Sequence, residues 1–98
     1  MATFYTVGEV CLTEWDDYPS IHSINGIQVD CENLQDGLSQ CEYDQLCLAV
    51  DYSTATIPPC WLHYSATDLD EENTYDGDNT TTQYRKTEVC LNSSGASF

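Results

Sequence analysis

The chain has 98 residues, a length that allows one domain whose hydrophobic core is only just large enough. Seventeen acidic residues against two basic ones give a net charge of −15, which argues against nucleic acid as a partner because its recognition depends on Lys and Arg that neutralise phosphates. Membrane insertion is not expected either, since no apolar run approaches the ~20 residues that a bilayer-spanning helix needs.

The first third of the chain predicts one strand followed by a loop. The segment TFYTVGEVCLTEW (3–15) is rich in Thr, Val and aromatic residues, as strands are. The start of the chain, MATFYTVGEVCL, has neither the basic nor the apolar region of a signal peptide. Pro19 and the turn pair Asn25-Gly26 predict a loop or a loose hairpin over DDYPSIHSINGI (16–27).

A helix is predicted over about residues 30–41. Asp30 is suited to be its N-cap, because a carboxylate can accept hydrogen bonds from the free amides of the first turn. Cys31, Leu34 and Leu38 recur with the helical period and would form one buried stripe. Gly37 weakens the centre, so the helix is expected to stop there or to fray toward Cys41.

The second half predicts three strands around an acidic loop. LCLAVDYS (46–53) and CWLHY (60–64) are compact β-type runs, and the prolines of TATIPP mark where the second one starts. SATDLDEENTYDGDNTT (65–81) is the acidic loop, TQYRKTEVC (82–90) is a strand that carries both basic residues, and LNSSGASF (91–98) is a tail or linker. We therefore expect a single α+β domain over residues 1–90, with about four or five strands and one helix.

The six cysteines, at positions 11, 31, 41, 47, 60 and 90, predict three disulfides. An even number of cysteines in a small chain is typical of a disulfide-stapled domain in an oxidising compartment. The alternative is a zinc site, which usually contains close pairs of ligands, and only Cys60 and His63 have such a spacing here. The sequence alone leaves fifteen ways of pairing six cysteines.

Several motifs resemble the PAN/apple family of extracellular modules. VDCENL, CLAVDYS, CWLH and a closing TQYR…C occur in the order found in that family, and the similarity covers residues 5–90. It implies a curved antiparallel sheet packed on one helix, with nested disulfides Cys11–Cys90, Cys31–Cys60 and Cys41–Cys47. The sequence departs from the family in that Cys31 and Cys41 lie ten residues apart rather than four. Cys41 is therefore expected either beyond the helix or after a bend near Gly37.

The resemblance implies a secreted, non-enzymatic module that binds an extracellular protein or glycan and needs no cofactor. Contact residues vary within the family, so none is carried over to this chain. A second hypothesis is a self-assembling subunit of an extracellular filament or matrix, in which exposed strand edges of identical chains would pair. The charge of −15 opposes such assembly unless glycans, divalent cations or strand exchange offset the repulsion.

Two kinds of site are suggested by short motifs in the acidic second half. Asn79 and Asn92 each begin an N-x-S/T triplet and are candidates for N-glycosylation. An EF-hand loop beginning at Asp68 would need Gly and Glu at its sixth and twelfth positions, where the chain has Asn73 and Asn79. An irregular calcium site remains a weak alternative, with the candidate ligands Asp68, Asp70, Glu72, Asp76 and Asp78.

No residue pattern predicts catalysis. His63 is interpreted as a strand histidine with alternate residues facing out, because the cysteines around it are expected to be disulfide-bonded. His22 is expected to be solvated in its loop. The paired carboxylates of Asp16 and Asp17 lie in a loop without a sign of a substrate cleft.

The aromatic residues divide into two expected groups. Core or sheet-face positions are expected for Tyr52, Trp61 and Tyr84, and candidates for partner contact are Tyr5, Tyr18, Tyr43, Tyr64 and Tyr75.

Overall fold

A computed structural model describes residues 9–92, which form an α+β domain with three disulfides, as the sequence predicts. Its strands are β1 (Glu9–Pro19), β2 (Ile21–Ser23), β3 (Ile27–Val29), β4 (Ala49–Ser53), β5 (Cys60–His63), β6 (Thr74–Asp76) and β7 (Thr81–Asn92). Helix α1 spans Leu34–Glu42, and two short 3₁₀ helices span Ala66–Leu69 and Glu71–Asn73. No helix between residues 9 and 92 has the length and apolar content needed to cross a bilayer. The predicted tail begins inside β7, which runs on to Asn92.

The main sheet has five antiparallel strands in the order β1-β7-β4-β5-β3, and β2 and β6 form a second, two-stranded sheet. Strands β1 and β7 pair from Glu9↔Asn92 to Pro19↔Thr82. Strand β4 accompanies only Thr81–Arg85 of β7, so the rest of the β1–β7 pair extends as a two-stranded ribbon. The domain is accordingly elongated, with extents of 54 × 28 × 19 Å.

The predicted loop over residues 16–27 is largely strand instead. β1 continues to Pro19, and β2 and β3 follow after turns at Ser20 (φ 63°) and Asn25 (φ 70°). The turn pair Asn25-Gly26 was placed correctly, because Asn tolerates the left-handed conformation at low energy. The three-residue strands on either side depend on their partners β6 and β5, and so they leave no alternating pattern long enough to detect.

Helix α1 begins later than predicted, because Asn33 and not Asp30 is its N-cap. The Oδ1 atom of Asn33 accepts a hydrogen bond from the Asp36 amide at 2.9 Å, and the Asp36 carboxylate accepts one from the Glu32 amide at 2.9 Å. This reciprocal capping satisfies two amides at the helix start. Cys31 therefore precedes the helix and does not belong to its buried stripe.

Gly37 does not end the helix, contrary to the prediction, and Cys41 lies in the last helical turn. Gly37 is buried where α1 crosses the Cys31–Cys60 disulfide, and a Cβ atom at this position would lie 2.5 Å from Cys60 Sγ. The missing side chain lets the helix approach the sheet closely. A contact with the sheet therefore outweighs the low helix propensity of glycine.

The disulfides join the pairs that the PAN/apple resemblance implies. They are Cys11–Cys90 across the ribbon, Cys31–Cys60 between the helix start and β5, and Cys41–Cys47 at the end of α1. All six cysteines are bonded, so none is free to ligate zinc as the alternative interpretation requires.

The main sheet has one apolar face and one polar face, and both are covered around β4 and β5. The apolar face packs on α1 around Cys41, Cys47, Val50 and Leu62, with Trp15, Val29 and Leu38 at its margin. The alternate residues Asp51, His63 and Gln83 point to the opposite face, where they are also buried. Strand β2 and the first 3₁₀ helix cover them, since Ser23 hydrogen-bonds to Asp51 and Asp68 to His63.

Candidate functional site

The polar face carries a hydrogen-bonded group, here named the polar cluster, which consists of Ser23, Asp51, His63, Asp68 and Gln83. His63 is fully buried, and its Nε2 and Nδ1 atoms lie 2.8 Å from Asp51 Oδ2 and 3.3 Å from Asp68 Oδ2. Burial by itself lowers the pKa of His63, but the hydrogen bonds and charges of the two carboxylates outweigh it and raise the pKa above its ordinary value. As an imidazolium the ring donates from both nitrogens.

Asp51 is the centre of this cluster. Its Oδ2 atom accepts a hydrogen bond from the Ser23 amide at 3.0 Å, and its Oδ1 atom accepts one from Gln83 Nε2 at 2.8 Å. Gln83 Nε2 also donates to Ser23 Oγ at 2.9 Å. The cluster therefore ties β2, β4, β5 and β7 together with polar contacts in place of an apolar layer.

His63 lies on a strand and on the face of the sheet that the prediction gives it, but that face is not exposed to solvent as expected. Strand alternation does turn the side chain away from α1, but β2 and the Ala66–Leu69 helix cover that face. Both ring nitrogens contact carboxylates and the ring is fully buried, so it is not placed to exchange a proton with a substrate.

A cleft of about 410 Å³ opens to solvent beside the polar cluster. Its lining includes Trp61, Asp51, Ser53, Thr81, His22 and Asp78. Three of these side chains, Asp51, Ser53 and Thr81, are buried and form a polar floor. We name this feature the Trp61 cleft, because Trp61 and His22 are the aromatic side chains among the described residues that line it.

Trp61 forms a wall of the cleft and is held from two directions. Its Nε1 atom donates a hydrogen bond to Thr56 Oγ1 at 3.2 Å. On the other side Gly26 approaches so closely that a Cβ atom there would lie 3.2 Å from Trp61 Cβ and 3.0 Å from His63 Cε1. The predicted sheet-face position of Trp61 corresponds to this half-buried wall.

Asp78 stands at the rim as a fixed carboxylate. Its Oδ1 atom accepts hydrogen bonds from the hydroxyl and the amide of Thr80 at 2.6 and 3.0 Å, and its Oδ2 atom accepts one from Thr81 Oγ1 at 2.8 Å. These bonds, with a smaller contribution from the charge of His22, lower the pKa of Asp78 to about 2. The carboxylate is therefore ionised throughout the physiological pH range.

His22 was expected to be solvated, and the structure places it against Asp78 instead. Its side chain is 40% exposed, but its Nδ1 atom lies 3.0 Å from Asp78 Oδ2. The ring centroid is 5.5 Å from that of Tyr75, on the paired strand β6. The tertiary pairing of β2 with β6 thus brings this histidine to the rim of the Trp61 cleft.

The five candidate calcium ligands are dispersed. Asp68 belongs to the polar cluster and Asp78 to the rim of the Trp61 cleft, whereas Asp70, Glu72 and Asp76 are exposed. Within residues 9–92, no three of these carboxylates bring oxygen atoms within 4.8 Å of one another. The described group that does meet this distance is Cys11, Glu88 and Cys90, and its two sulfur atoms are joined in a disulfide.

The other predicted residues lie on the surface or outside the described part. Asp16 and Asp17 are exposed neighbours on β1 and so point to opposite sides of the strand. Asn79 is exposed just before β7, and the side chain of Asn92 lies outside the described residues. Tyr5 lies outside them as well, whereas the exposed tyrosines are Tyr18, Tyr43, Tyr64 and Tyr75.

Both basic side chains are folded onto the domain itself. Lys86 Nζ donates to the carbonyl oxygens of Cys41, Asp44 and Cys47 at 2.7, 3.0 and 3.0 Å. Arg85 donates to Gln83 Oε1 at 2.7 Å and to the Leu69 carbonyl at 3.2 Å, and its guanidinium carbon lies 4.7 Å from the centre of the Tyr18 ring. The acidic surface is therefore left without a freely extended Lys or Arg side chain.

Sequence reasoning missed the polar cluster and the Trp61 cleft. The available signal was a polar residue at alternate positions of three strands, Asp51, His63 and Gln83. Such alternation ordinarily indicates a solvent-facing side, and only the packing of distant segments turns it into a buried group.

Comparisons of the chain with protein-family models, with curated proteins and with solved structures give no match. The basis for a function is therefore the geometry of the chain itself.

Proposed function

We propose that the chain is a secreted, non-enzymatic binding module of the PAN/apple type, and that it contacts an extracellular protein or glycan at the Trp61 cleft. The observation that carries this proposal is the cleft itself, which combines an aromatic wall with buried polar side chains on its floor. Ligand sites in proteins commonly have this composition, because the aromatic surface supplies affinity and a few placed polar groups supply orientation.

Secretion is supported by the covalent frame. Three disulfides in a domain of 98 residues are stable in an oxidising compartment and are rare in a reducing one. The motifs shared with the PAN/apple family point to the same extracellular setting.

A binding role is supported by the state of the reactive side chains. All six cysteines are consumed in disulfides, and the imidazole of His63 is enclosed by two carboxylates. A nucleophile or a general base must reach the substrate, and neither the cysteines nor His63 is placed to do so.

The test is a binding screen that compares the wild type with Trp61→Ala. Both proteins are applied to a glycan array and to a library of displayed extracellular domains, with Tyr43→Ala as the matched control. Tyr43 is 87% exposed and does not line the cleft. We expect Trp61→Ala to abolish the strongest wild-type signal and Tyr43→Ala to leave it unchanged. Equal binding by the wild type and Trp61→Ala contradicts the proposal, provided that disulfide mapping and circular dichroism show a native fold; Trp61→Phe serves if the alanine variant does not fold.

Self-assembly is a second candidate, favoured by the outer edge of β1. This eleven-residue strand lies at one edge of the main sheet, and its outer side has no partner strand within the described part of the chain. Unpaired edges template pairing with further copies. Sedimentation velocity at increasing protein concentration tests this function, with Leu12→Lys on the edge and Leu46→Lys away from it. Assembly that Leu12→Lys alone suppresses supports the candidate, whereas a monomer at all concentrations removes it.

A further inference from the structure

We infer that the Trp61 cleft takes a cationic group, namely the ammonium or guanidinium of a Lys or Arg side chain on a basic protein partner. The inference rests on the proposed function, since it specifies the ligand of the same site. It predicts that neutral sugars and anions are poor occupants. Three observations support it: the charge of the lining, the absence of Lys and Arg from its described residues, and the aromatic wall.

The lining carries two carboxylates, Asp51 in the floor and Asp78 at the rim. The donors that hold Asp78 include the hydroxyls of Thr80 and Thr81 and the Thr80 amide, and these groups are neutral. They orient the carboxylate and keep it ionised, but they do not cancel its negative charge. A cation that enters the cleft therefore meets a charge already fixed in position, which limits the entropy lost on binding.

The nearby positive charges do not neutralise the lining. His63 is shared between Asp51 and Asp68, so one imidazolium faces two carboxylates. Arg85 and Lys86 are engaged elsewhere, and neither lines the cleft. His22 is the one lining side chain that can carry a positive charge, and it contacts the same carboxylate, Asp78. The formal charge of the site therefore remains negative when His22 is neutral.

The wall suits the rest of a basic side chain. The face of a Trp ring attracts an ammonium or guanidinium group within about 6 Å of its centre. Trp61 and Ile24 also offer apolar surface to the methylene stem, while the charged head remains close to Asp78. The net charge of −15 increases the local concentration of basic partners and repels anionic ones.

The test is a titration of the ¹⁵N-labelled, disulfide-intact protein followed by NMR. The probes are Nα-acetyl-lysine methylamide, its neutral Nε-acetylated analogue, and methyl glucoside. We expect the lysine probe to shift the Gly26 and Ser53 amides and the Trp61 indole signal. The neutral analogue should bind roughly tenfold more weakly, because it lacks the charge-assisted contact.

Two variants, Asp78→Asn and its control Asp76→Asn, test whether the lysine probe binds beside Asp78. Asp76 lies in the same acidic segment but does not line the cleft. Asp78→Asn should weaken binding of the lysine probe roughly tenfold, and Asp76→Asn less than about twofold. Because Asp78→Asn also alters the turn at Thr80, the wild type is titrated at about 20 and about 300 mM NaCl as a second measurement. Affinity should fall at the higher salt concentration.

The remaining outcomes each decide against the inference. If the neutral probes shift the cleft signals as strongly as lysine does, and Asp78→Asn changes nothing, the cleft is a ligand site but not a cation site. If the lysine probe shifts signals over the whole acidic surface and both variants behave alike, binding is non-specific. If no probe shifts the cleft signals, the inference fails, whereas the proposed function is decided separately by Trp61→Ala in the binding screen.

Discussion

His63 and its two carboxylate partners place charge in the interior of a very small domain. The folded-state pKa of His63 lies above its ordinary value of 6.5 because Asp51 and Asp68 together outweigh the effect of burial. Above pH 6.5, folding therefore takes up a proton at this site. The stabilisation is fully present below about pH 6.5 and is lost as the pH rises through the folded-state pKa.

This linkage predicts that the domain becomes less stable toward alkaline pH. We expect the free energy of unfolding of the wild type to fall as the pH rises above about 6.5, and His63→Gln to lose most of that dependence. At pH 6 the variant should be destabilised by about 3 kcal/mol, since it leaves two buried carboxylates without their cation. Urea denaturation at a series of pH values measures both effects. His22→Gln is the control, and the same loss of pH dependence in His22→Gln but not in His63→Gln would contradict the assignment.

At the scale of secondary structure, the contact between α1 and the sheet depends on a residue with no side chain. Ala is the better helix former, by about 1 kcal/mol over Gly. At position 37, however, a Cβ atom would lie 2.5 Å from Cys60 Sγ, so the helix or the disulfide must move. Two physical effects therefore oppose each other at Gly37.

We expect packing to dominate, so that Gly37→Ala destabilises the domain by about 1–3 kcal/mol. Gln35→Ala is the matched control on the exposed side of the same helix and should change stability by less than about 0.5 kcal/mol. Chemical denaturation of the two variants distinguishes the effects. A Gly37→Ala variant more stable than the wild type would show that helix propensity decides at this position.

The end of α1 depends on Lys86 from the neighbouring strand. Its ammonium group donates to the carbonyl oxygens of Cys41, Asp44 and Cys47, in and after the last helical turn. The carbonyls of Cys41 and Asp44 also accept bonds from the backbone amides of Asp44 and Cys47, so Lys86 adds to the bonds that close this end of the helix. Lys86→Met retains the apolar stem and removes these hydrogen bonds. We expect destabilisation by about 2 kcal/mol in thermal or chemical denaturation. The stability of Lys86→Arg should lie between those of Lys86→Met and the wild type, because a planar guanidinium fits three converging acceptors poorly. If Lys86→Met is as stable as the wild type, Lys86 does not have this role.

At the scale of the whole molecule, repulsion between acidic residues destabilises the fold and the three disulfides stabilise it. Seventeen acidic residues are balanced by only two basic ones, so the carboxylates repel one another in the compact state. The apolar core is small, and three of its six buried hydrophobic residues in the described part of the chain are the disulfide cysteines Cys41, Cys47 and Cys60. Much of the resistance to this repulsion therefore comes from the disulfides, which restrict the unfolded chain.

Screening should consequently stabilise the domain. We expect the thermal midpoint to rise as NaCl increases from about 10 to about 500 mM, because salt weakens repulsion between exposed carboxylates. At equal ionic strength CaCl₂ and MgCl₂ should raise it equally, since the candidate calcium ligands are dispersed over the described structure. Differential scanning calorimetry makes the comparison. A clearly larger rise with calcium would point to a specific site.

Several features of the fold could be predicted because they depend on local composition. The α+β class follows from β-type runs around one helical segment, and the strand pair over 46–53 and 60–64 is found as β4 and β5. The even number of cysteines predicts a stapled domain. Errors concentrated where two local signals competed, as at the helix start, where Asn33 rather than Asp30 provides the cap.

The sequence by itself thus determined the class of the domain, its acidic character and its disulfide-bonded state, since composition and short-range pattern govern these properties. Only the tertiary structure decided the candidate site. Asp51, His63 and Gln83 lie far apart along the chain, and strand pairing makes them neighbours. Whether the residues on one face of a strand are exposed or buried depends on what packs over the sheet, and here β2 and the Ala66–Leu69 helix do so. That packing involves contacts between distant residues, which local pattern does not encode.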